Sequence, residues 1–180
     1  LVIDGGDIAC WCEVALNAWS MENRKIAGII APGPWEQMGT GPAFATAVKM
    51  AKPDSRVVLI TGDGSIGLAP GLTPLETAID RDIAVTVVVA NNAQWGMIKN
   101  QQKEMWGREL GTSLRDVDYH KIFEAAGAHS ALVLDPSDLP TAIQRAWSSN
   151  KPSFIEVKTS PDPSLMTKGL VEMRVRTAIE

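Results

Sequence analysis

Cysteine is scarce in this chain, and what there is of it is spaced wrongly for redox or metal chemistry. Cys10 and Cys12 are the only two among 180 residues, and around Trp11 they form neither a CxxC dithiol nor half of a zinc site. They read as reduced thiols, as expected in the cytoplasm. Excess positive charge is missing too: 17 Lys and Arg stand against 21 Asp and Glu, a net charge of -4, which gives no basic field for a nucleic-acid backbone. No apolar run approaches the roughly 18 residues that span a bilayer. No GxGxxG follows a strand-like run, which argues against a plain dinucleotide site. The chain opens on Leu1 in a strand-like run, with no signal-peptide pattern, so it reads as trimmed or as the back half of something longer.

What is present is enough for one substantial core, since 45% of the residues are apolar and 21% are charged. Strand-like runs at 1–3, 26–31, 56–61, 84–90, 131–134 and 154–158 alternate with helical stretches near 8–20, 41–51, 73–81, 118–126 and 137–148. Val57 to Ile60 and Val85 to Val89 are almost continuously apolar, as central parallel strands covered on both faces must be. The expected fold is α/β: a doubly wound, mainly parallel six-stranded sheet with helices on both faces, whose ligands sit beyond the carboxyl ends of the strands. Thr73-Pro74 and Ser137-Asp138 supply helix starts. Residues 92–117 show no sustained periodicity and predict a long functional loop. The domain is expected to span 1–160, with 161–180 as a tail that serves as a lid or a partner contact.

Gly62-Asp63-Gly64-Ser65 follows one central strand and Asn91-Asn92 follows the next. In a parallel sheet those two ends are neighbours, so the Asp63 carboxylate and the Asn92 carboxamide can converge. Magnesium takes oxygen donors and leaves its other positions to water or phosphate, which suits such a pair. Glycines let the backbone approach an anion, and main-chain N–H groups near Ser65 can donate to it. Alone, the same residues would also suit an ordinary turn and two polar loop ends; their place after two central strands favours the ligand site.

GDGS with a downstream Asn-Asn resembles the thiamine diphosphate motif. The likeness extends over about residues 1–160, through PAFATAVKMAKPDSRVVLITGDGS, LETAIDRDIAVTVVVANNAQWGMIKNQQ and GTSLRDVDYHKIFEAAGAH. These stretches are similar to the group containing acetolactate synthase, 2-hydroxyacyl-CoA lyase and oxalyl-CoA decarboxylase. The resemblance implies thiamine diphosphate and Mg2+ as cofactors, with Asp63, the Asn92 side chain and the Gln94 main-chain carbonyl as metal ligands. It implies that Gly62, Gly64 and Ser65 contact the diphosphate, and that the Gly5-Gly6-Asp7 turn closes over its far end. Met38 falls where the family places a bulky apolar residue beneath the cofactor, and the Glu36 carbonyl would accept from its aminopyrimidine. Met97 and Ile98 would border the substrate, with Trp95 and Gln101 nearby. Two departures stand out: Pro74 replaces an acid, and the connection IGLAPGLTPLE from Ile66 to Glu76 is about two residues longer than the family's usual one, so the next helix should start late.

The family also implies an absence. Its activating glutamate lies on a pyrimidine-binding domain, which these residues do not contain, and Glu13, Glu22, Glu36 and Glu76 lack the context to replace it. No catalytic residue is therefore expected on this chain, and a partner domain or subunit is, in a hetero-oligomer such as a dimer of heterodimers. The activity implied is carbon-carbon cleavage of the 2-hydroxyacyl-CoA lyase kind, with an acetolactate synthase-like carboligase or a 2-oxo acid decarboxylase as the alternative, and a non-catalytic assembly subunit as a reading of another class. His120 and His129 read as structural. Trp11, Trp19 and Trp147 read as packing residues, and Trp35, Trp95 and Trp106 as neighbours of the site. Lys168, Arg174 and Arg176 would meet a CoA phosphate or form a solvated tail.

Overall fold

A computed structural model describes residues 1–22, 26–68, 71–165, 167 and 169. Lys168, Arg174 and Arg176 of the expected tail lie outside the described residues. In chain order the elements are β1 (Val2–Ile3), α1 (Asp7–Met21), α2 (Gly41–Ala51), β2 (Val57–Gly62), α3 (Asp63–Ile66), α4 (Thr73–Asp80), β3 (Val85–Asn91), α5 (Gly96–Trp106), α6 (Tyr119–Ala125), β4 (His129–Val133), α7 (Leu139–Ser149) and β5 (Ser153–Lys158). The sheet is parallel throughout, in the order β1-β2-β3-β5-β4.

Strand alternation divides the core into two layers. Val57, Leu59, Val85, Val87, Val89 and Phe154 point to one face, where Ala45 of α2, Leu75 and Ala78 of α4 and Phe123 of α6 cover them. Phe123 stacks on Phe154 with ring centroids 3.9 Å apart. Val88 and Ile155 point to the other face, beneath Ala142 and Ala146 of α7. Each large side chain buried this way contributes about 1.5–3 kcal/mol, so β2 and β3 are pinned in the middle of the sheet from both sides. Among the described residues no helix is long and apolar enough to cross a membrane.

Three expectations need correction. The sheet has five strands among the described residues rather than six, because 26–31 makes only a bridge to β1: Ile3 N donates to Ile30 O and Ile30 N to Leu1 O, at 2.9 and 3.0 Å. Pro32 then follows without an N–H to extend the ladder. The second correction is α5, an eleven-residue helix inside the segment expected to be loop. It buries no side chain, so it carries no apolar period, and it ends on Gly107 in left-handed backbone with φ 65°. The third is small: Leu72, not Thr73, caps α4, and Pro74 occupies its first turn. The late start of α4 is as expected, with the four-residue α3 standing before it.

Candidate functional site

Register brings the carboxyl ends of the central strands level, with Gly62 opposite Ala90 and Asn91 opposite Lys158. Above them opens a cavity of about 600 Å3. Its lining includes Gly6, Asp7, Met38, Gly62, Asp63, Gly64, Ser65, Asn92, Gln94, Trp95, Met97 and Ile98, twelve of the fifteen residues expected at the site; Gly5 is not among them. Glu36, exposed and with φ 47°, is outside the lining, as is Gln101 on α5. Trp35 and Trp106 also stand apart from the cavity, at 90% and 64% exposure, whereas Trp11 of α1 lines it.

Asp63 is the centre of the arrangement. It is 4% exposed, and its Oδ2 is buried without a hydrogen-bond partner. Burial raises its pKa above the ordinary aspartate value, and the main-chain N–H groups of Gly64, Gln94 and Ala93 only partly oppose that rise. Tyr119 Oη donates to the Asp63 carbonyl at 3.3 Å and ties the turn to α6. Trp95 packs against Gly64: a Cβ added there would sit 2.7 Å from the indole ring, so glycine is what lets the two loops meet. The Ser65 hydroxyl is also buried and unpartnered.

The loop after β3 completes the cluster. Asn92 Oδ1 accepts from Gln94 N at 3.2 Å, which forms a tight turn at the cavity wall. The Gln94 side chain is committed elsewhere, donating to Pro161 O at 3.3 Å and accepting from Lys99 Nζ at 2.7 Å, so only its main chain is left to serve a metal. Asn91 faces the other way. Its Nδ2 donates to Glu156 Oε1 at 2.8 Å and to Val117 O at 3.0 Å, and its Oδ1 accepts from Ala93 N at 3.0 Å.

Glu156 is fully buried and takes four partners: Asn91, Lys158 Nζ at 2.7 Å, His120 N at 3.0 Å and His120 Nδ1 at 2.6 Å. Burial pushes its pKa up, but Lys158, His120 and Asn91 outweigh that and hold it at about 2. Lys158 also pairs with Asp116. His120 thus belongs to a structural network, as the sequence implies.

Asp7 lines the cavity, and its carboxylate also has partners far along the chain. Its Oδ1 accepts from Ser164 N and Oγ at 3.3 and 3.1 Å and from Thr167 Oγ1, and its Oδ2 accepts from Asn100 Nδ2 at 3.3 Å. The carboxylate therefore fastens the C-terminal segment and α5 to the start of α1, while Pro163 and Leu165 of that segment line the cavity. Sequence reasoning missed this latch, Glu156 and Asp4, because each depends on partners more than 30 residues away, the neighbouring Lys158 of Glu156 apart. The two thiols, Cys10 and Cys12, are free and buried, and burial pushes Cys12 up to about 11. Such thiols are inert.

The donor set fits a magnesium-bridged diphosphate. Asp63 presents one unpaired carboxylate oxygen, Asn92 a neutral amide, and Ser65 an unpartnered hydroxyl, all on one wall of the cavity. Among the described residues no three His, Cys, Asp or Glu side chains are placed to cage a metal by themselves. Magnesium needs no such cage, since phosphate oxygens and water fill its remaining positions.

Comparison with known proteins agrees with this geometry. Residues 7–157 match the family described as thiamine pyrophosphate enzyme, C-terminal TPP binding domain. A probable acetolactate synthase of Mycobacterium bovis is 33% identical over 163 residues, covering 89% of this chain and 28% of that protein. The 2-hydroxyacyl-CoA lyase 2 of Bos taurus is 31% identical over 133 residues, covering 74% of this chain and 20% of its own length. Among solved structures, the thiamine diphosphate-dependent 4-hydroxybenzoylformate decarboxylase of Rhodococcus jostii RHA1 superposes with a TM-score of 0.68 at 28% identity, over 74% of this chain and 25% of that one. The chain spans between a fifth and under a third of the length of these relatives. A parallel α/β sheet, a GDGS turn beside an Asn-Asn turn, and a family match over most of the sequence lead to one conclusion: the chain belongs to the thiamine pyrophosphate enzymes, as their C-terminal TPP-binding domain.

Proposed function

We propose that this chain is the diphosphate-binding half of a carbon-carbon lyase of the 2-hydroxyacyl-CoA lyase kind, completed by a pyrimidine-binding domain or subunit. Thiamine diphosphate, when bound, supplies an electron sink that lets a bond next to a carbonyl break. The residues of this chain hold and enclose it. Asp63, Asn92 and the Gln94 main chain take the magnesium, Gly64 and Ser65 the diphosphate, and Met38 supports the middle of the molecule. Trp95, Met97, Ile98 and Leu165 give the substrate side an apolar wall that excludes water. No glutamate among the described residues lines the cavity, which supports the need for an activating glutamate from the partner half. The reading carries a hetero-oligomer in the cytoplasm, the latter in keeping with two free thiols.

One observation favours an acyl-CoA substrate over a free 2-oxo acid. Among the described lining residues there is no Lys, Arg or His, and the acids present are Asp7, Asp63 and Asp162. A carboxylate next to the reacting carbon would meet an apolar and acidic wall, whereas the reacting end of an acyl-CoA is a neutral thioester, its phosphates lying at the far end of the molecule. The second reading is an acetolactate synthase-like carboligase, favoured by the longer match to the Mycobacterium bovis protein. The test joins the chain to its pyrimidine-binding half and assays two substrates. Aldehyde release from a 2-hydroxyacyl-CoA is the expected result; acetolactate formed from pyruvate, with no aldehyde from the thioester, would overturn it.

A further inference from the structure

We propose that Asp4, which lies outside the cavity, is a positioning residue that sets the Met38 turn against the diphosphate loop. The inference rests on the functional reading above, since Met38 matters only if a cofactor lies on it. Asp4 follows β1 directly and is fully buried. Its own N–H donates to Ile60 O at 2.9 Å, which fixes it to β2 just before the Gly62–Ser65 turn. Its carboxylate reaches across to the segment before α2: Oδ1 accepts from Gly39 N at 3.2 Å, and Oδ2 accepts from Gly39 N at 3.0 Å and from Gly41 N at 2.9 Å.

Those donors belong to the residues on either side of Thr40, the first of them directly after Met38. Gly39 has φ 86°, so the turn needs a backbone that most residues resist. Gly41 approaches so closely that a Cβ there would lie 2.6 Å from Asp4 Cβ and 2.7 Å from Leu59 Cδ1. Gly71 N donates to Gly39 O at 3.2 Å and braces the turn from its other side. The Ser65 hydroxyl also faces this carboxylate and helps its charged form, without closing a hydrogen bond of normal geometry. Asp4 therefore stands where three loops of the site meet: the one after β1, the one carrying Met38 and the one after β2.

A carboxylate is required because both of its oxygens accept. Asparagine has the same shape but presents an amide N–H2 on one side, which would face the Gly39 or Gly41 N–H donor to donor. Burial raises the Asp4 pKa, and the Gly41 and Gly39 N–H groups oppose that rise. Burying a carboxylate carries a desolvation cost that a merely space-filling residue would not incur.

The split between two ligands tests the proposal. Inorganic pyrophosphate with Mg2+ probes the Asp63, Ser65 and Asn92 wall, whereas thiamine diphosphate with Mg2+ also needs the Met38 support. In the full-length protein, Asp4→Asn should weaken thiamine diphosphate about tenfold, a change of about 1.4 kcal/mol, and pyrophosphate by less than about twofold. Because Asp4 acts through the turn, Asp4→Asn combined with Met38→Ala should lose no more than Met38→Ala alone. Should Asp4→Asn not fold, Gly41→Ala displaces the same turn with Asp4 intact and should show the same split. Equal losses for both ligands, or additive losses in the double variant, would overturn the proposal alone. A wild type that binds neither ligand would overturn the functional reading and the proposal with it.

Discussion

Asn91 and Asn92 are neighbours in the chain and opposite in circumstance. Asn91 is 2% exposed and belongs to a closed network in which Glu156, His120, Lys158 and Asp116 satisfy one another. Asn92 turns to the cavity beside Asp63 and Ser65, which both keep a buried polar atom without a partner. The two clusters share the same strand ends and comparable burial, so burial alone does not explain the difference. Completion does: partners hold Glu156 down at about 2, whereas Asp63 is raised because the main-chain N–H groups around it offset only part of its desolvation and its Oδ2 has no partner. A satisfied buried network is architecture, and an unsatisfied one beside a cavity is waiting for a ligand.

The largest effect expected from breaking the contrast is on the closed side. Glu156→Gln sets an amide N–H2 against the Asn91 amide or the His120 N–H and removes the charge facing Lys158. We expect a loss of about 3 kcal/mol in urea denaturation at pH 7. The loss should shrink as the pH falls. The Glu156 pKa is depressed from 4.5 to about 2, so its stabilisation is present in full above the unfolded value and disappears as the pH drops toward 2. Wild type and variant should therefore converge in acid; a constant gap from pH 7 to pH 3 would show that the network is not electrostatic.

Asp63 should behave with the opposite sign, and by less. Its raised pKa means that its charge opposes folding at neutral pH, so Asp63→Asn should leave the chain without ligand as stable as wild type or more so by up to about 1 kcal/mol. The smallest effect belongs to the Asp7 latch. Asp7→Ala should cost about 1 kcal/mol or less and appear chiefly as faster amide exchange at Ser164 and Thr167, measured by hydrogen exchange. Unchanged exchange there would mean that the segment is held by Leu165 and Pro163 packing alone.

Much of this was legible in the sequence, and the reasons for the remainder are physical. The β2 and β3 runs announce themselves because central strands covered on both faces are almost continuously apolar. The GDGS and Asn-Asn turns follow those strands, so their meeting was readable from order alone. Helix α5 was not, because a helix that buries nothing carries no period; Gly107 was its one readable sign. The strand expected at 26–31 failed for a related reason: apolar Ile29 and Ile30 look like core but sit at the sheet edge, 51% and 38% exposed, before a proline. The partners of the Asp7 carboxylate, Ser164 and Thr167, lie about 160 residues away, where no local pattern points back.

The most direct test of the open cluster is calorimetric titration of wild type and Asp63→Asn with Mg2+ and thiamine diphosphate, together and each alone. The account predicts that wild type binds the pair far more tightly than either component, with a thermal stabilisation of about 2.7 kcal/mol near 100 times the dissociation constant. It predicts that Asp63→Asn, still folded, loses both the Mg2+ dependence and the stabilisation. Equal binding of thiamine diphosphate by the two proteins, with or without Mg2+, would contradict it.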